Sequence, residues 1–364
     1  MKIDSIETIR VSLPYEMGGG PRMIAGQAQP GLNVLLVRVQ TEDGLVGWGE
    51  AFGHAVVPTT ETLLKTLVAP QLLGRDATDI AGVMQDMQQK LHLFGRNGPV
   101  SYALSGVDIA LWDLAGKRAG LPLYQLLGGN RCTSVRAYAS LLRYADPAAV
   151  ARNCREAVRR GYRHIKLHEI TEPAVRAARE AIGPDVALMV DTNCPWTIAE
   201  ATRMAKLLAP LGLHWLEEPV WPPEDADGLA AVRRVGVPIA AGENAAGLLD
   251  FRCMFECGAL DVAQPSVTKI GGITEMRKII AIAEVFGVRL VPHCAYFGPG
   301  YLASIHLNAA MPRETLLERL YLDLEASLFA PFTEPQDGMV AVPQASGLGC
   351  DPDPEVLARY RLAG

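Results

Sequence analysis

Three acidic residues of the chain are spaced so that they could share one metal ion. Asp191, Glu217 and Glu243 each end a short apolar run, and by subtraction consecutive members are 26 positions apart. Three converging carboxylates repel one another unless a cation lies between them. For any one of these carboxylates, the better interpretation is that it caps a helix or pairs with a basic side chain. Three carboxylates at the ends of successive runs favour a shared metal ion. Oxygen ligands with no softer donor nearby predict Mg²⁺, with Mn²⁺ as the alternative.

A lysine and a histidine precede this triad in the stretch GYRHIKLHEI, residues 161 to 170. Because side chains alternate along a strand, Lys166 and His168 face one way while Ile165 and Leu167 face the other. We expect Lys166 to help neutralise a substrate carboxylate bound to the cation and His168 to serve as a base. The alternative for His168 is a buried histidine with a structural role.

Two further residues extend the predicted cavity. His293 follows a later apolar run and would face the cavity from the opposite side. Asn193 lies two positions beyond Asp191, where it could bond a metal ligand or a substrate oxygen. A cation, a carboxylate-binding lysine and bases on two sides suit removal of a proton α to a carboxylate, because the cation stabilises the enolate as charge develops.

Short apolar runs that alternate with helical segments must position these residues. From position 135 the runs are VRAYAS, HIKLHE, ALMVDTN, HWLEEP, PIAAGEN, VAQPS, RLVPH and LERLY. Their terminal polar residues recur every 23 to 27 positions by subtraction, at Lys166, Asp191, Glu217, Glu243, Ser266, His293 and Glu318. Eight strand-helix units predict an α/β fold, a modified (β/α)8 TIM-type barrel with its active site at the C-terminal strand ends. An open doubly wound sheet is the alternative, but it would not place a polar group at the end of every strand.

The first 128 residues are organised differently. Two alternating runs in LNVLLVRVQTEDGLVGWGEA, joined by EDG, predict a hairpin. Residues 59 to 127 have the apolar spacing of helices. The predicted division is an α+β domain over 1–128, the barrel over 129–325 and a C-terminal segment over 326–364.

Composition excludes several classes of protein. With 364 residues, 49% of them apolar, the chain is long enough for a barrel and a smaller domain and is not disordered. A net charge of −6 without a basic run argues against nucleic acid or an anionic membrane as partner, and no stretch approaches the roughly 20 apolar residues of a spanning helix. We predict a cytoplasmic protein that binds a small-molecule carboxylate.

The seven cysteines lack zinc-site spacing and are predicted to be reduced and mostly buried.

Together these motifs resemble the enolase superfamily, in particular its mandelate racemase and muconate lactonizing enzyme group. The similarity covers nearly the whole chain and rests on SGVDIALWDLAGKRAGLPLYQLLGG (105–129), KLH, VDTN, LEEP, AGEN, QPSVTKIGG (264–272), VPH, LLERLY and the tail DGMVAVPQASGLGCDPD. The resemblance implies a capping domain completed by the C-terminal segment, and Mg²⁺ held by Asp191, Glu217 and Glu243. It also implies that Glu318 contacts the substrate carboxylate and that the protein is a homo-oligomer.

Two positions depart from the family pattern. His168 replaces the second lysine of the usual Lys-x-Lys motif, and Ser266 stands where the racemases have an aspartate that pairs with the histidine at 293. A hydroxyl can orient the His293 ring but brings no charge to stabilise its protonated form. Asp261, five positions earlier, falls on the opposite face of the strand. Two-base racemisation is therefore disfavoured.

Dehydration remains compatible with both departures. Loss of water needs a base for the α-proton and an acid for the β-hydroxyl, which His168 and His293 can divide, or which one of them can supply alone. We predict a dehydratase of a hydroxy acid or sugar acid, with a racemase or epimerase as the alternative. A degenerate, non-catalytic carboxylate binder is a second alternative. An unrelated metal hydrolase is disfavoured because neither a bridging lysine nor a His-x-His pair is present.

In this family the loops of the capping domain close the barrel mouth, so they supply candidates for substrate contact. These are Tyr15, Arg22 in GGGPRMIAG and His54 in AFGHAVV. Arg22 would bind a carboxylate or hydroxyl at the far end of the substrate. The alternative is that it is a solvent-exposed charge on the loop. Tyr296 would either wall the pocket or pack in the core. Lys269, in TKIGG, is predicted to be structural because strand alternation turns it away from the cavity.

Overall fold

The N-terminal part of the chain is an antiparallel sheet covered by helices. The structure, a computed structural model, describes residues 1–24, 26–129 and 133–362. Strand β4 follows the small β2–β3 hairpin and pairs with both β1 and β5, and the β4–β5 pair is the predicted hairpin. These elements are β1 (Ile3–Glu16), β2 (Met23–Ile24), β3 (Gln27–Ala28), β4 (Gly31–Thr41), β5 (Val46–Ala51), α1 (Val57–Leu63), α2 (Ile80–Lys90), α3 (Pro99–Ala119) and α4 (Leu123–Leu126).

Helix α3 is largely buried and lies directly on β5. It begins at Pro99, whose fixed φ suits the first helical position, and ends at Gly120 in the left-handed conformation that commonly closes a helix. Glycines allow the close approach, because a Cβ atom on Gly49 would overlap the carbonyl oxygen of Gly106. Helix and sheet therefore form one rigid layer.

Eight parallel strands with intervening helices form the larger part of the molecule, as predicted. Strand order runs β12-β11-β10-β9-β8-β7-β6-β13, so the first barrel strand pairs with the eighth and closes the sheet. Across the remaining edge, the hydroxyl of Thr315 donates to the carbonyl oxygen of Leu290 at 2.7 Å. The strands are β6 (Ser134–Leu141), β7 (His164–Leu167), β8 (Ala187–Asp191), β9 (Leu213–Glu217), β10 (Ile239–Ala241), β11 (Val262–Ala263), β12 (Arg289–Leu290) and β13 (Leu316–Leu320). The helices are α5 (Pro147–Arg159), α6 (Glu172–Ile182), α7 (Ile198–Leu208), α8 (Ala226–Arg233), α9 (Leu248–Glu256), α10 (Gly272–Phe286) and α11 (Pro299–Ala310).

A layer of apolar side chains fills the barrel beneath the polar strand ends. Alternation along each strand points these residues inward, and they pack around the indole of Trp215. The same alternation points their neighbours outward, against the helices. The layer consists of Tyr138, Met189, Trp215, Ala240, Val262, Val291 and Leu316. This floor excludes water below the site.

The last part of the chain contacts both units. Strand β14 (Asp323–Leu324), just before the predicted C-terminal segment, pairs with β1, whereas β15 (Met339–Ala341) within that segment pairs with barrel strand β6. The final helix, α12 (Pro354–Tyr360), is followed by Leu362, whose N–H donates to the carbonyl of Arg10 on β1. The predicted domain boundaries after residues 128 and 325 remain predictions.

Two sequence predictions concern the chain as a whole. Among the described residues, no helix has the length and apolar character needed to cross a membrane. The six described cysteines are free, but the prediction that most are buried is wrong, since only Cys154 and Cys294 are buried and Cys253 and Cys257 are exposed. Cys132 lies outside the described residues.

Candidate active site

Three carboxylates meet at the C-terminal mouth of the barrel. Asp191 and Glu217 are the last residues of β8 and β9, and Glu243 lies two residues beyond β10. One oxygen from each lies within 4.8 Å of the others, and Asp191 and Glu217 are fully buried. Burial and, next, the charge of Asp191 raise the pKa of Glu217 well above its usual range. A cation placed among these hard oxygen donors removes that repulsion, so the residues fit a divalent metal ion.

Lys166 lies beneath the triad as a fully buried cation. Its Nζ is 2.8 Å from Oε1 of Glu217, 2.8 Å from Oε1 of Glu318 and 3.2 Å from Oδ2 of Asp191. Burial by itself would lower the pKa of Lys166, but these carboxylates outweigh it and raise the pKa well above its usual range. The lysine is therefore held charged where it balances a site rich in negative charge.

Glu318 is fixed by three hydrogen bonds. It accepts from Lys166, from the hydroxyl of Ser140 at 2.8 Å and from the backbone N–H of Cys294 at 2.8 Å. Burial would raise the pKa of Glu318, but Lys166 and His293 outweigh it and lower the pKa to about 2. The carboxylate is thus ionised and rigid beside Lys166.

His168 follows β7 directly and is oriented by the backbone of the neighbouring strand. Its Nδ1 lies 2.6 Å from the carbonyl oxygen of Leu141, and its Nε2 lies 3.3 Å from Oδ2 of Asp191. Because a carbonyl oxygen only accepts, Nδ1 carries a hydrogen, and this bond orients the ring so that Nε2 faces the Asp191 carboxylate of the triad.

His293 faces the triad from the other side. Its Nε2 lies 2.9 Å from Oε2 of Glu243, so this nitrogen carries the hydrogen that a carboxylate accepts. In the described part of the chain, the buried Nδ1 has no hydrogen-bond partner. The two imidazole rings therefore contact different carboxylates of the same triad.

Ser266 does not orient the His293 ring, contrary to the prediction. Its hydroxyl lies 3.3 Å from the hydroxyl of Tyr296, which in turn donates to the backbone carbonyl of His293 at 3.0 Å. Strand β11 ends at Ala263, and the turn that follows carries Ser266 to Tyr296 instead. Tyr296 is buried and uses its hydroxyl to hold the loop, which is the packing alternative. Asp261 pairs with Arg233 at 2.7 Å, away from the site.

Asn193 reaches the triad through its backbone. Its N–H donates to Oδ1 of Asp191 at 3.0 Å, and its side chain is exposed. The residue has a φ of 53°, in the left-handed region that Asn tolerates better than most residues. The predicted bond to a metal ligand is present, but the amide side chain does not make it.

Loops of the N-terminal unit cover the barrel mouth. The hydroxyl of Tyr15 donates to the carbonyl of Gln29 at 2.9 Å, which ties the end of β1 to the loop that carries Arg22. Burial lowers the pKa of Arg22, while Tyr15, Glu243 and Glu318 act in the opposite direction. Arg22 thus lies within electrostatic reach of the metal site, as the prediction of a loop over the site requires.

His54 lies in the same covered region, in an aromatic cluster that sequence analysis missed. Its ring meets Phe52 edge-on at 4.6 Å, and Phe52 meets Tyr102 of α3 at 5.1 Å. Burial, together with Arg22, His293 and Lys269, lowers the pKa of His54 well below its usual range, so the ring is neutral. Phe52 could have been predicted as a site residue because it lies two positions before the candidate His54 in AFGHAVV. Tyr102 could not, since its surroundings in the sequence indicate only a helix.

The prediction that Lys269 is turned away from the barrel mouth is wrong, whereas its structural role remains a prediction. Its Nζ lies over the Phe52 ring, 5.1 Å from the centroid. Burial would raise the pKa of Glu243, but His293 and then Lys269 lower it. The strand-alternation argument fails because β11 ends six residues earlier and the backbone turns, with the N–H of Lys269 donating to the carbonyl of Ser266 at 2.9 Å.

Comparison with known proteins decides the family. Residues 5–128 match the N-terminal domain of mandelate racemase and muconate lactonizing enzymes, and residues 149–356 match the enolase C-terminal domain-like family. The chain belongs to the mandelate racemase and muconate lactonizing enzyme group of the enolase superfamily. The predicted family, barrel fold and enzyme class are confirmed.

Relatives in this superfamily include cycloisomerases and dehydratases. A 3,6-anhydro-α-L-galactonate cycloisomerase of Streptomyces coelicolor is 35% identical over 341 residues, which cover 90% of this chain and 91% of that protein. An arabinonate dehydratase of Saccharolobus solfataricus is 32% identical over 350 residues, which cover 93% of each chain. The crystal structure of L-talarate dehydratase from a Polaromonas species, complexed with Mg and L-glucarate, is 30% identical with a TM-score of 0.83, covering 100% of this chain and 98% of that one. The predicted Mg²⁺ cofactor agrees with the acidic triad.

Proposed function

We propose that this superfamily member is a Mg²⁺-dependent dehydratase of a sugar acid. One observation carries the proposal, namely that His168 and His293 turn their Nε2 atoms toward the acidic triad from two sides, at 3.3 Å from Asp191 and 2.9 Å from Glu243. A base on one side and a proton donor on the other are what the loss of an α-proton and a β-hydroxyl requires.

The residues of the triad, Asp191, Glu217 and Glu243, would hold Mg²⁺, which supplies positive charge next to the substrate carboxylate as that group becomes an enolate. Lys166, bonded to both Glu217 and Glu318, would neutralise the carboxylate from the barrel side. Its complete burial keeps it from moving away during the reaction.

His168 would take the α-proton on Nε2, and the C–H electron pair passes into the carboxylate as an enolate. When that pair returns, the bond to the β-hydroxyl breaks, and His293 in its protonated form donates the proton with which the hydroxyl leaves as water. The resulting enol then gives a 2-keto acid.

A cycloisomerase is the second candidate, favoured by the similarity to the Streptomyces coelicolor enzyme. The first step is the same. In the second step, the bond that breaks would join the β-carbon to a ring oxygen instead of to a hydroxyl. The proton donated by His293 would then stay on the product. A dehydratase product is lighter than its substrate by one water, whereas an isomer has the same mass, so mass spectrometry separates the two.

The test is incubation of the full chain with Mg²⁺ and a panel of sugar acids in D₂O, following α-deuterium uptake and 2-keto acid together. His168→Asn should abolish both, because an amide cannot accept the proton. His164→Asn is the matched control, since His164 begins the same strand and pairs with His214 instead of contacting the triad. A wild-type protein that binds Mg²⁺ and sugar acids but never exchanges the α-hydrogen would be the degenerate binder.

Two further predictions belong to this proposal. Resemblance to the family suggests a homo-oligomer, which light scattering of the purified chain would test. The cytoplasmic location predicted from the sequence is also part of this proposal, and fractionation of the source cells would test it.

A further inference from the structure

Lys269 is buried, and in the described part of the chain no carboxylate forms an ion pair with it, although its charge acts on Glu243. Its side chain belongs to a residue only 7% exposed, and in the described part of the chain it makes no ion pair or hydrogen bond. Lys166, the other buried lysine of the barrel, is bonded to three carboxylates. Burying an unpaired charge costs free energy, so a native site that retains one usually pairs it with something the protein itself does not supply.

A second cation converges on the same region from the capping loop. Arg22 also lacks an ion pair among the described residues, and the residue is half-buried. Its backbone carbonyl accepts from the N–H of Gln29 at 2.9 Å, and Gln29 in turn accepts from the hydroxyl of Tyr15. The loop is thus fixed with its arginine over the barrel mouth.

His54 lies close to Lys269 and to the loop that carries Arg22. Its ring is 4.6 Å from the Phe52 ring, and Nζ of Lys269 lies 5.1 Å from the centroid of the same Phe52 ring. Gln27 and Gln29 of the Arg22 loop line one cavity together with His54. His54 has a φ of 38°, a left-handed backbone that is uncommon for a side chain of this kind and that often marks a functional position. A neutral imidazole beside these cations offers a hydrogen bond without adding charge.

The turn that carries Lys269 is held rigidly by the capping domain. The N–H of Gly271 donates to the hydroxyl of Ser105 at 2.8 Å, and the N–H of Thr274 donates to Asp108 at 3.0 Å, both acceptors being on α3. Gly272 has a φ of 84° and no room for a Cβ beside Asp108. Lys269 is therefore positioned before any ligand arrives, as a specific binding site requires.

The two lysines lie on opposite walls of the barrel. Lys166 is on β7 and Lys269 follows β11, and these strands are four apart in an eight-stranded sheet. A ligand with one carboxylate at Lys166 and the triad would extend across the mouth toward Lys269 and Arg22.

We propose that Arg22, His54 and Lys269 form a distal subsite that binds the second carboxylate of a dicarboxylic sugar acid. This inference rests on the proposed function and narrows its substrate class. The family alone does not decide the matter, since its members named above include an enzyme for arabinonate, with one carboxylate, and one bound to L-glucarate, with two.

Calorimetric titration of the Mg²⁺-loaded full chain tests the subsite without requiring turnover. The probes are galactarate and glucarate, with two carboxylates, against galactonate and gluconate, with one, at constant free Mg²⁺. Lys269→Met and Arg22→Met should each weaken binding of the dicarboxylates by about 10- to 100-fold, the usual value of a charge-assisted hydrogen bond, and change binding of the monocarboxylates less than about threefold. Lys269→Arg should restore most of the dicarboxylate affinity. Lys206→Met, on the outer helix α7, is the matched control and should change neither.

The outcomes separate this inference from the proposed function. Wild-type protein that exchanges the α-hydrogen of sugar acids but binds both classes equally, or variants that weaken both classes equally, would overturn the distal subsite and leave the dehydratase standing. Dicarboxylate-selective binding that depends on Lys269 and Arg22, without any α-hydrogen exchange, would support the subsite and overturn the dehydratase.

Discussion

Nε2 of His293 lies 2.9 Å from Oε2 of Glu243, while Nδ1 of the same ring is buried without a partner in the described part of the chain. We therefore expect Ser266→Asp to make His293 a better base, because a carboxylate placed in this turn brings the charge that stabilises a protonated ring. Exchange of the α-hydrogen with inversion should rise about 10-fold, which is less than the roughly 100-fold at the low end of what acid-base catalysis contributes.

Ser266→Asn is the matched control, since it fills similar space without charge. NMR in D₂O would detect the epimeric product. Equal rates for the two variants would show that Ser266 is too far from the ring to matter.

Lys166→Met should destabilise the metal-free protein strongly. Asp191, Glu217 and Glu318 would lose their shared cation and remain buried, which typically costs about 3–5 kcal/mol in free energy of unfolding. Urea titration in EDTA measures this cost. Lys206→Met, on the exposed side of α7, should change stability by less than about 0.5 kcal/mol.

Mg²⁺ should stabilise the folded chain through the triad. At a free Mg²⁺ concentration 100 times the dissociation constant, binding to the folded state alone raises the free energy of unfolding by about 2.7 kcal/mol. Removal of the metal with EDTA should therefore lower the melting temperature of the wild type. Glu243→Gln should show a much smaller change on EDTA addition, whereas Glu256→Gln, exposed on α9, should behave like the wild type. A full Mg²⁺ response in Glu243→Gln would remove that residue from the metal site.

His306 should make the protein sensitive to mild acid. Its ring is fully buried on α11, where Nδ1 accepts from the N–H of Tyr124 at 3.2 Å and Nε2 donates to the carbonyl of Leu348 at 3.1 Å. Burial lowers the pKa of His306 from 6.5 to about 4. As the pH falls below 6.5, His306 takes up a proton in the unfolded chain but not in the folded chain. The free energy of unfolding is therefore highest above pH 6.5 and falls progressively down to about pH 4.

The loss over this window is about 3 kcal/mol, at roughly 1.4 kcal/mol for each unit of pKa difference. His306→Gln should be less stable near pH 7 but should lose less stability on acidification, as measured by urea titration at each pH. His92→Gln, at an exposed position, should keep the wild-type dependence. An unchanged slope in His306→Gln would assign the acid sensitivity to other groups.

The sequence by itself was sufficient for the barrel and the acidic triad. Both depend on a local repeat, in which a polar residue ends each apolar run and one strand and helix separate it from the next. Parallel strands bring their C-terminal ends to the same edge whatever the details of packing, so regular spacing predicts that Asp191, Glu217 and Glu243 converge. The side-by-side placement of Lys166 and His168 follows in the same way from strand alternation.

Only the tertiary structure decided how the remaining residues are used. Strand alternation holds only while the strand continues, and β11 ends at Ala263, so the turn beyond it sends Ser266 to Tyr296 and Lys269 to the barrel mouth. The approach of Phe52 to Lys269 joins positions more than 200 apart in the chain, and it depends on how α3 packs against the turn before α10. Spacing within one segment contains no information about such contacts, because they are set by the packing of two units against each other.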